Sequence, residues 1–190
     1  SVVILTIICI TANIFASEYP TDIGSVTLKA GFLLKKSDIF PTQDEQNSVS
    51  IFGTVEYFPI VDISSGIWIL HENENSNYKY FGIGPQFKWY IGGHMHKLKF
   101  KGDILPYIGI GIHYSYRTVD TYNYSYEIGK IGGQLTFGTN VMILNHIGFF
   151  GECLLRMEGN SNTIHYIGDL SENQNNYDLR LQFGLSIFLY

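Results

Sequence analysis

Apolar and polar residues alternate with a period of two along eight separate stretches of this chain, which restricts it to strands with one greasy and one polar face. No sustained helical period competes with it. The C-terminal stretch is the clearest: Leu179, Leu181, Phe183, Leu185, Ile187 and Leu189 occupy one phase, and Asp178, Arg180, Gln182, Gly184 and Ser186 the other. Residues 146–158 set Ile147, Phe149, Cys153, Leu155 and Met157 against Glu152, Arg156 and Glu158. Residues 130–142 set Ile131, Leu135, Phe137 and Val141 against Lys130, Gln134, Thr136 and Asn140. Residues 104–117 and 79–91 do the same, with Ile108, Ile110 and Ile112 opposed to Gly109, Gly111 and His113, and with Phe81, Ile83, Phe87 and Trp89 opposed to Tyr80, Gly82, Gly84, Gln86 and Lys88. Three less regular stretches, near 25–35, 48–58 and 63–72, complete the set.

The spacing between stretches alternates as well. Tight turns are expected around 59–62 and 143–145, whereas 36–47, 118–129 and 159–176 are long, polar and rich in Asn, Ser and Asp. Short turns at one end and long loops at the other describe an up-and-down antiparallel barrel. Residues 92–103 are long for a turn and 73–78 short for a loop, so either could be strand extension. One domain accounts for 190 residues, and residues 17–190 are assigned to it.

Residues 1–16 carry no charge and are almost wholly apolar before SEYPTD begins, which reads as a signal peptide truncated at its start and cleaved after Ala16. That run is shorter than the ~18 to 20 residues a membrane-spanning helix needs. Cys9 follows Ile8, where a lipoprotein signal requires a small residue, so no lipid anchor is expected. Cys9 would leave with the signal, and Cys153 alone cannot form an internal disulfide.

Alternation does not by itself say which face points inward, since a soluble lipocalin-type barrel would turn its apolar phase into the core. The polar phase decides the expectation. It holds Lys29, Lys35, Glu56, Glu72, Lys88, Arg117, Lys130, Glu152, Arg156, Glu158, Asp178 and Arg180, together with many of the 20 glycines. Charges of both signs can pair across a narrow lumen, and glycines leave room for them. The other phase is dominated by branched aliphatics, with Tyr57, Trp89, Tyr114 and Tyr116 near strand ends where lipid interfaces place aromatic girdles. The stretches run about 10 to 13 residues, near the ~9 to 11 that cross a bilayer when tilted. The expected fold is therefore all-β: an eight-stranded antiparallel up-and-down transmembrane β-barrel.

These residues resemble a known family, the small outer-membrane protein β-barrel domains of the OmpA/OmpX-like eight-stranded type. The resemblance covers residues 24–190 and is carried by LPYIGIGIHYS (105–115), IGGQLTFG (131–138), the 149–156 strand with its Glu152, and FGLSIFLY (183–190). The last resembles the C-terminal strand signal read by the barrel assembly machinery, which makes that machinery an expected partner of Phe183 to Tyr190. Tyr190 departs from the pattern, because Leu189 takes the in-phase position that the family gives to an aromatic. The resemblance implies a cell outer membrane location, contact with outer-membrane lipid, and a role as envelope structure, adhesin, surface antigen or narrow pore.

The chemistry most strongly indicated is a lumen charge network of Lys29, Glu56, Lys88, Arg117, Lys130, Glu152, Arg156, Glu158, Asp178 and Arg180. Facing ions of both signs plug the barrel; in the alternative they line a narrow polar path. Glu152, Arg156 and Arg180, on the final adjacent strands, are the first candidates for pairing. His113 and Ser115 invite comparison with outer-membrane lipid A deacylases, which use a His-x-Ser pair, but here the pair lies on the inward phase and Tyr116 stands where an Asn should follow. His94 and His96 could hold two corners of a metal site, yet no third ligand is spaced for it, and Lys97, Lys99 and Lys101 beside them read as a solvated segment. No catalytic, cofactor or metal residues are assigned. A formal charge of −5 without a basic cluster argues against nucleic acid as a partner. An extracellular ligand, if bound, would meet the polar loops 36–47 and 159–176. A structural or surface-binding barrel is the leading reading, with a narrow porin-like channel for small polar solutes and a lipid A-modifying enzyme as alternatives.

Overall fold

The computed structural model describes residues 19–35, 49–75, 78–92, 104–120, 125–159, 162–164 and 176–190. The signal segment 1–16, His94 and His96, and most of the loops lie outside these residues.

Among the described residues nine antiparallel strands are formed: β1 (Val26–Lys35), β2 (Val49–Ile60), β3 (Ile63–Asn75), β4 (Tyr78–Tyr90), β5 (Ile104–Asp120), β6 (Ser125–Leu144), β7 (Ile147–Glu158), β8 (Asn162–Ile164) and β9 (Asn176–Leu189). Eight of them make the wall. Each pairs with its sequence neighbour, β7 pairs β9, and β9 pairs β1 from Val26↔Leu189 to Lys35↔Arg180, which closes the sheet on itself. The closing seam brings Gly31 opposite Gly184, and a Cβ on Gly184 would run into the Ala30 carbonyl and Gly31. Glycine at these two positions lets the first and last strands approach. The three-residue β8 adds to β6 through Glu127↔Ile164, Ile128↔Thr163 and Gly129↔Asn162.

Register keeps the two phases apart, because one residue of slip would exchange every inward and outward side chain. Leu28 faces Val55, Phe32 faces Ile51 and Phe183, and Ile110 faces Phe87 and Leu135. All of these point away from the barrel: Ile110 is 60% exposed and Ile131 67%, whereas Lys88 is 2% exposed and Arg156 0%. A water-soluble shell would reverse this assignment. The outer wall is thus a continuous belt of aliphatic and aromatic side chains with Tyr57, Trp89 and Tyr114 on it; Tyr116 is only half-exposed.

Two expectations about loops are corrected. Residues 118–129 do not form a long loop: β5 runs to Asp120 and β6 starts at Ser125, with Thr118↔Glu127, Val119↔Tyr126 and Asp120↔Ser125 still paired. Thr118, Val119, Tyr126 and Ile128 favour extended backbone, and the many Tyr, Ser and Asn around them hid that signal. The 13-residue ceiling on strand length fails for the same reason, since β5 has 17 residues and β6 has 20. Residues 73–78, left open between loop and strand, are mostly strand, and three residues inside the 159–176 loop form β8.

At the turn end, residues 61–62 and 145–146 make the tight connections. Asp62 holds a left-handed backbone (φ 63°), a conformation Asp tolerates better than most residues with a Cβ. Its carboxylate accepts a 2.6 Å hydrogen bond from Thr21 Oγ1, its N–H donates to the Thr21 carbonyl, and its own carbonyl accepts from the Tyr90 N–H. The segment before β1 is thereby tied beneath the wall, with Thr21 and Ser25 fully buried. Tyr190 closes the other tight turn by donating to the Asn145 carbonyl at 2.7 Å while its ring stacks on His146.

Ile110→Arg places a charge on the outward face of β5. It is expected to lower stability in phospholipid vesicles by ~2 to 4 kcal/mol near the midplane. Urea unfolding monitored by gel mobility measures it, and a loss under about 0.5 kcal/mol, the scale of an ordinary surface change, would mean that this face does not meet hydrocarbon.

Candidate functional site: the lumen

Inward side chains arrange themselves in layers. Nearest the turn end, Phe58, Tyr90, Leu105, Tyr107, Met142 and Phe188 pack into an apolar cluster, with Tyr190 partly buried against it. Nearer the loops a second cluster contains Leu33, Phe52, Trp68, Leu70, Tyr80 and Phe150. These large side chains share a phase with the charges, so alternation read as polar against apolar understates them. Their in-phase position on each strand was the available signal.

Between the clusters lies a four-charge group. Lys88 Nζ sits 2.9 Å from Glu56 Oε1 and 3.1 Å from Glu152 Oε2, so it bridges β2 and β7 across the lumen. Lys29 Nζ is 3.5 Å from the same Glu56 oxygen and lies 4.0 Å from the centroid of the Tyr107 ring. Glu56 also accepts hydrogen bonds from Tyr90 Oη, Ser64 Oγ and Gln86 Nε2. Two ammonium groups and two carboxylates leave no net charge, and every side chain involved is buried. Ions taken out of water need this density of partners, because the attraction must offset desolvation. Tyr90, Tyr107, Ser64 and Gln86 were not among the expected site residues; as neutral members of the inward phase they gave no charge signal.

The second ionic level lies toward the loops. Arg180 Nη1 contacts Glu72 Oε2 at 3.2 Å, joining β9 to β3. Arg156 donates through Nη2 to Tyr80 Oη and stands 3.8 Å from Glu158 Oε1. That oxygen also accepts from Tyr80 Oη and Ser115 Oγ, and His113 Nε2 lies 3.8 Å away; Lys130 reaches the other oxygen at 3.8 Å. Glu152, Arg156 and Arg180 therefore do not pair with one another. In a narrow barrel the far wall is as close as the next strand: Glu152 and Arg180 meet Lys88 and Glu72 across the lumen, whereas Arg156 reaches Tyr80 across it and Glu158 two residues on in its own strand. Arg117 is half-exposed and makes no ion pair among the described residues. The side chains of Lys35 and Asp178 lie outside the described set, although Asp178 faces Arg156 in the β7–β9 register.

His113 and Ser115 both point into this level and are buried. The single Ser115 hydroxyl proton is shared between Glu158 and the Lys130 carbonyl, both 3.4 Å away, and among the described residues neither ring nitrogen of His113 has a hydrogen-bond partner. The histidine is thus not positioned to take the serine proton, and the pair faces away from lipid. Among the described residues no group of three or more His, Cys, Asp and Glu side chains could hold a metal ion.

No family model matches the sequence, and no curated protein matches it. Solved structures do. The N-terminal β-barrel domain of Pseudomonas aeruginosa OprF is similar with a TM-score of 0.62 and 9% identity, over 86% of this chain and 96% of that one. Neisserial surface protein A (NspA) is similar with a TM-score of 0.59 and 14% identity, over 86% of this chain and 95% of that one. This chain has the fold of the small outer-membrane barrels. Identity at this level fixes the architecture alone; the lumen and loops are this chain's own.

Lys88→Met leaves Glu56 and Glu152 facing each other without their shared cation. The expected loss is about 3 to 5 kcal/mol, and adding Glu152→Gln should recover part of it because one stranded charge is removed. A double-mutant cycle by urea unfolding in vesicles measures the coupling, and strict additivity would refute the pairing.

Proposed function

We propose that the protein is a resident of the cell outer membrane that serves as envelope structure or as a rigid mount for surface-binding loops, its lumen plugged and not conducting. The observation that carries this reading is the filled lumen: two apolar clusters enclose an ion cluster in which each carboxylate meets a lysine. A solute moving along the axis would have to separate Lys88 from Glu56 and Glu152 and then displace Phe58, Tyr90 and Phe188, all fully buried. The outward belt supports lipid as the surrounding solvent, and the long polar segments 36–47 and 159–176, which connect β1 to β2 and β7 to β9, are the proposed place for a binding partner. Phe183 to Tyr190 complete the closing strand, consistent with engagement by the assembly machinery. The role is read as non-enzymatic, and the inward, buried His113 and Ser115 support that against a lipid-modifying pair.

The narrow channel is the competing reading, favoured by the presence of two charged levels in one lumen, around Glu56 and around Glu158. Planar-bilayer recordings separate the two. The plugged barrel should give no steady conductance above the bilayer baseline, and a stable unitary conductance that disappears on adding bulk at Gly109→Phe would replace it with the channel. Fractionation with gel mobility of unheated and boiled samples tests location, since a folded barrel of this kind stays in the outer membrane and changes mobility only on boiling.

A further inference from the structure

A buried cation requires an acceptor of opposite charge at contact distance, and Arg156 has less than its neighbours. Lys88 has two carboxylates within 3.1 Å and Arg180 has one at 3.2 Å, whereas Arg156, 0% exposed, meets its carboxylate at 3.8 Å. Its Nη2 is used by Tyr80. Among the described residues its Nε and Nη1 are buried with no acceptor. The guanidinium lies 5.0 Å from the Trp68 ring and 5.4 Å from the Tyr80 ring, so aromatic faces flank it.

Other donors without acceptors stand at the same place. Trp68 Nε1, which can only donate, is buried and unbonded, and so are both ring nitrogens of His113, one of which carries a proton in either tautomer. The Trp68 and His113 rings are 6.3 Å apart, and His113 and Arg156 reach the same Glu158 oxygen. We propose that this level of the lumen binds a small monovalent anion of the halide class, held by Arg156, Trp68 Nε1–H and the His113 N–H. Gln134, opposite Arg156 on β6, has a buried amide whose carbonyl oxygen also lacks a partner; that neutral acceptor could satisfy one hydrogen bond but not the charge. A dianion would overcompensate one guanidinium and carry a larger desolvation cost into a site walled by rings. The site is separate from the balanced cluster around Lys88, and it gives the plug a component that the chain does not encode.

The full folded chain in detergent tests this. Unfolding midpoints are read from gel mobility while sodium bromide replaces sodium gluconate at constant ionic strength. A saturable rise in midpoint is expected, with bromide affinity falling about tenfold or more in Trp68→Phe, as the loss of one hydrogen bond to a charged partner implies. His113→Phe should weaken it likewise, and crystals grown in bromide should show an anomalous peak touching Arg156 Nε. Because Arg156→Gln can destabilise the barrel by itself, Trp68→Phe, which keeps ring and charge, is the deciding variant. A midpoint indifferent to bromide overturns the proposal, as does a rise that Trp68→Phe and His113→Phe leave unchanged. So does a bromide response seen only in Asp178→Asn, which would mean that the chain's own carboxylate holds the place.

Discussion

Everything in this structure depends on the closing of β9 onto β1. A peptide group in hydrocarbon has no water to bond, and an open sheet would strand a row of N–H and C=O groups at each edge. Pairing from Val26↔Leu189 to Lys35↔Arg180 removes both edges at once. The cost is steric, since the ends of the sheet must meet without splaying, and Gly31 opposite Gly184 supplies the clearance. Pro85, which has no N–H to give to a ladder, falls where the β4–β5 register between Ile83↔Tyr114 and Gln86↔Gly111 has no pairs.

Closure also dictates the interior. Once the apolar phase is turned outward, period two forces the other phase into a tube too narrow to be hydrated like a surface. Charged residues there cannot find solvent, so they must find one another, and the geometry of a small barrel makes the opposite wall the nearest source of partners. Lys88 on β4 meets Glu152 on β7, and Arg180 on β9 meets Glu72 on β3. The same confinement places aromatic rings against cations, as with Lys29 over Tyr107 and Arg156 beside Trp68. Such contacts offset part of the desolvation that ion pairing leaves unpaid.

The fold was legible in the sequence because it is written in a pattern and not in particular residues. Alternation gave the strands, their count and the inward face of Lys29, Glu56, Lys88, Glu152, Arg156 and Arg180. Partner choice was only partly legible: Lys29–Glu56 and Lys130–Glu158 join adjacent strands, but Lys88 and Arg180 pair across the lumen, a distance set by barrel diameter and not by register. Nor was the upper extent of β5 and β6, whose tyrosines, serines and glycines read as loop composition although they alternate within a hairpin. Trp68, Tyr90 and Tyr107 were missed for a third reason: an aromatic on the polar phase looks like an exception to the alternation until the lumen's need for volume is counted.

The two ends of the lumen are built on opposite principles. At the turn end the seal is side-chain packing: Phe58, Tyr90 and Phe188 close together with Tyr90 Oη bonded to Glu56, and the 19–25 segment is pinned beneath them through Thr21 and Asp62. At the loop end four side chains converge on one carboxylate oxygen of Glu158, which cannot approach all of them closely, and its contacts with Arg156 and His113 are correspondingly long at 3.8 Å. An oversubscribed acceptor leaves donors behind, and in a medium that excludes water those donors set what else the barrel will admit. The balanced half of the lumen therefore contributes rigidity, while the unbalanced half, beneath the loops, is where this chain can differ in chemistry from other barrels that share its fold.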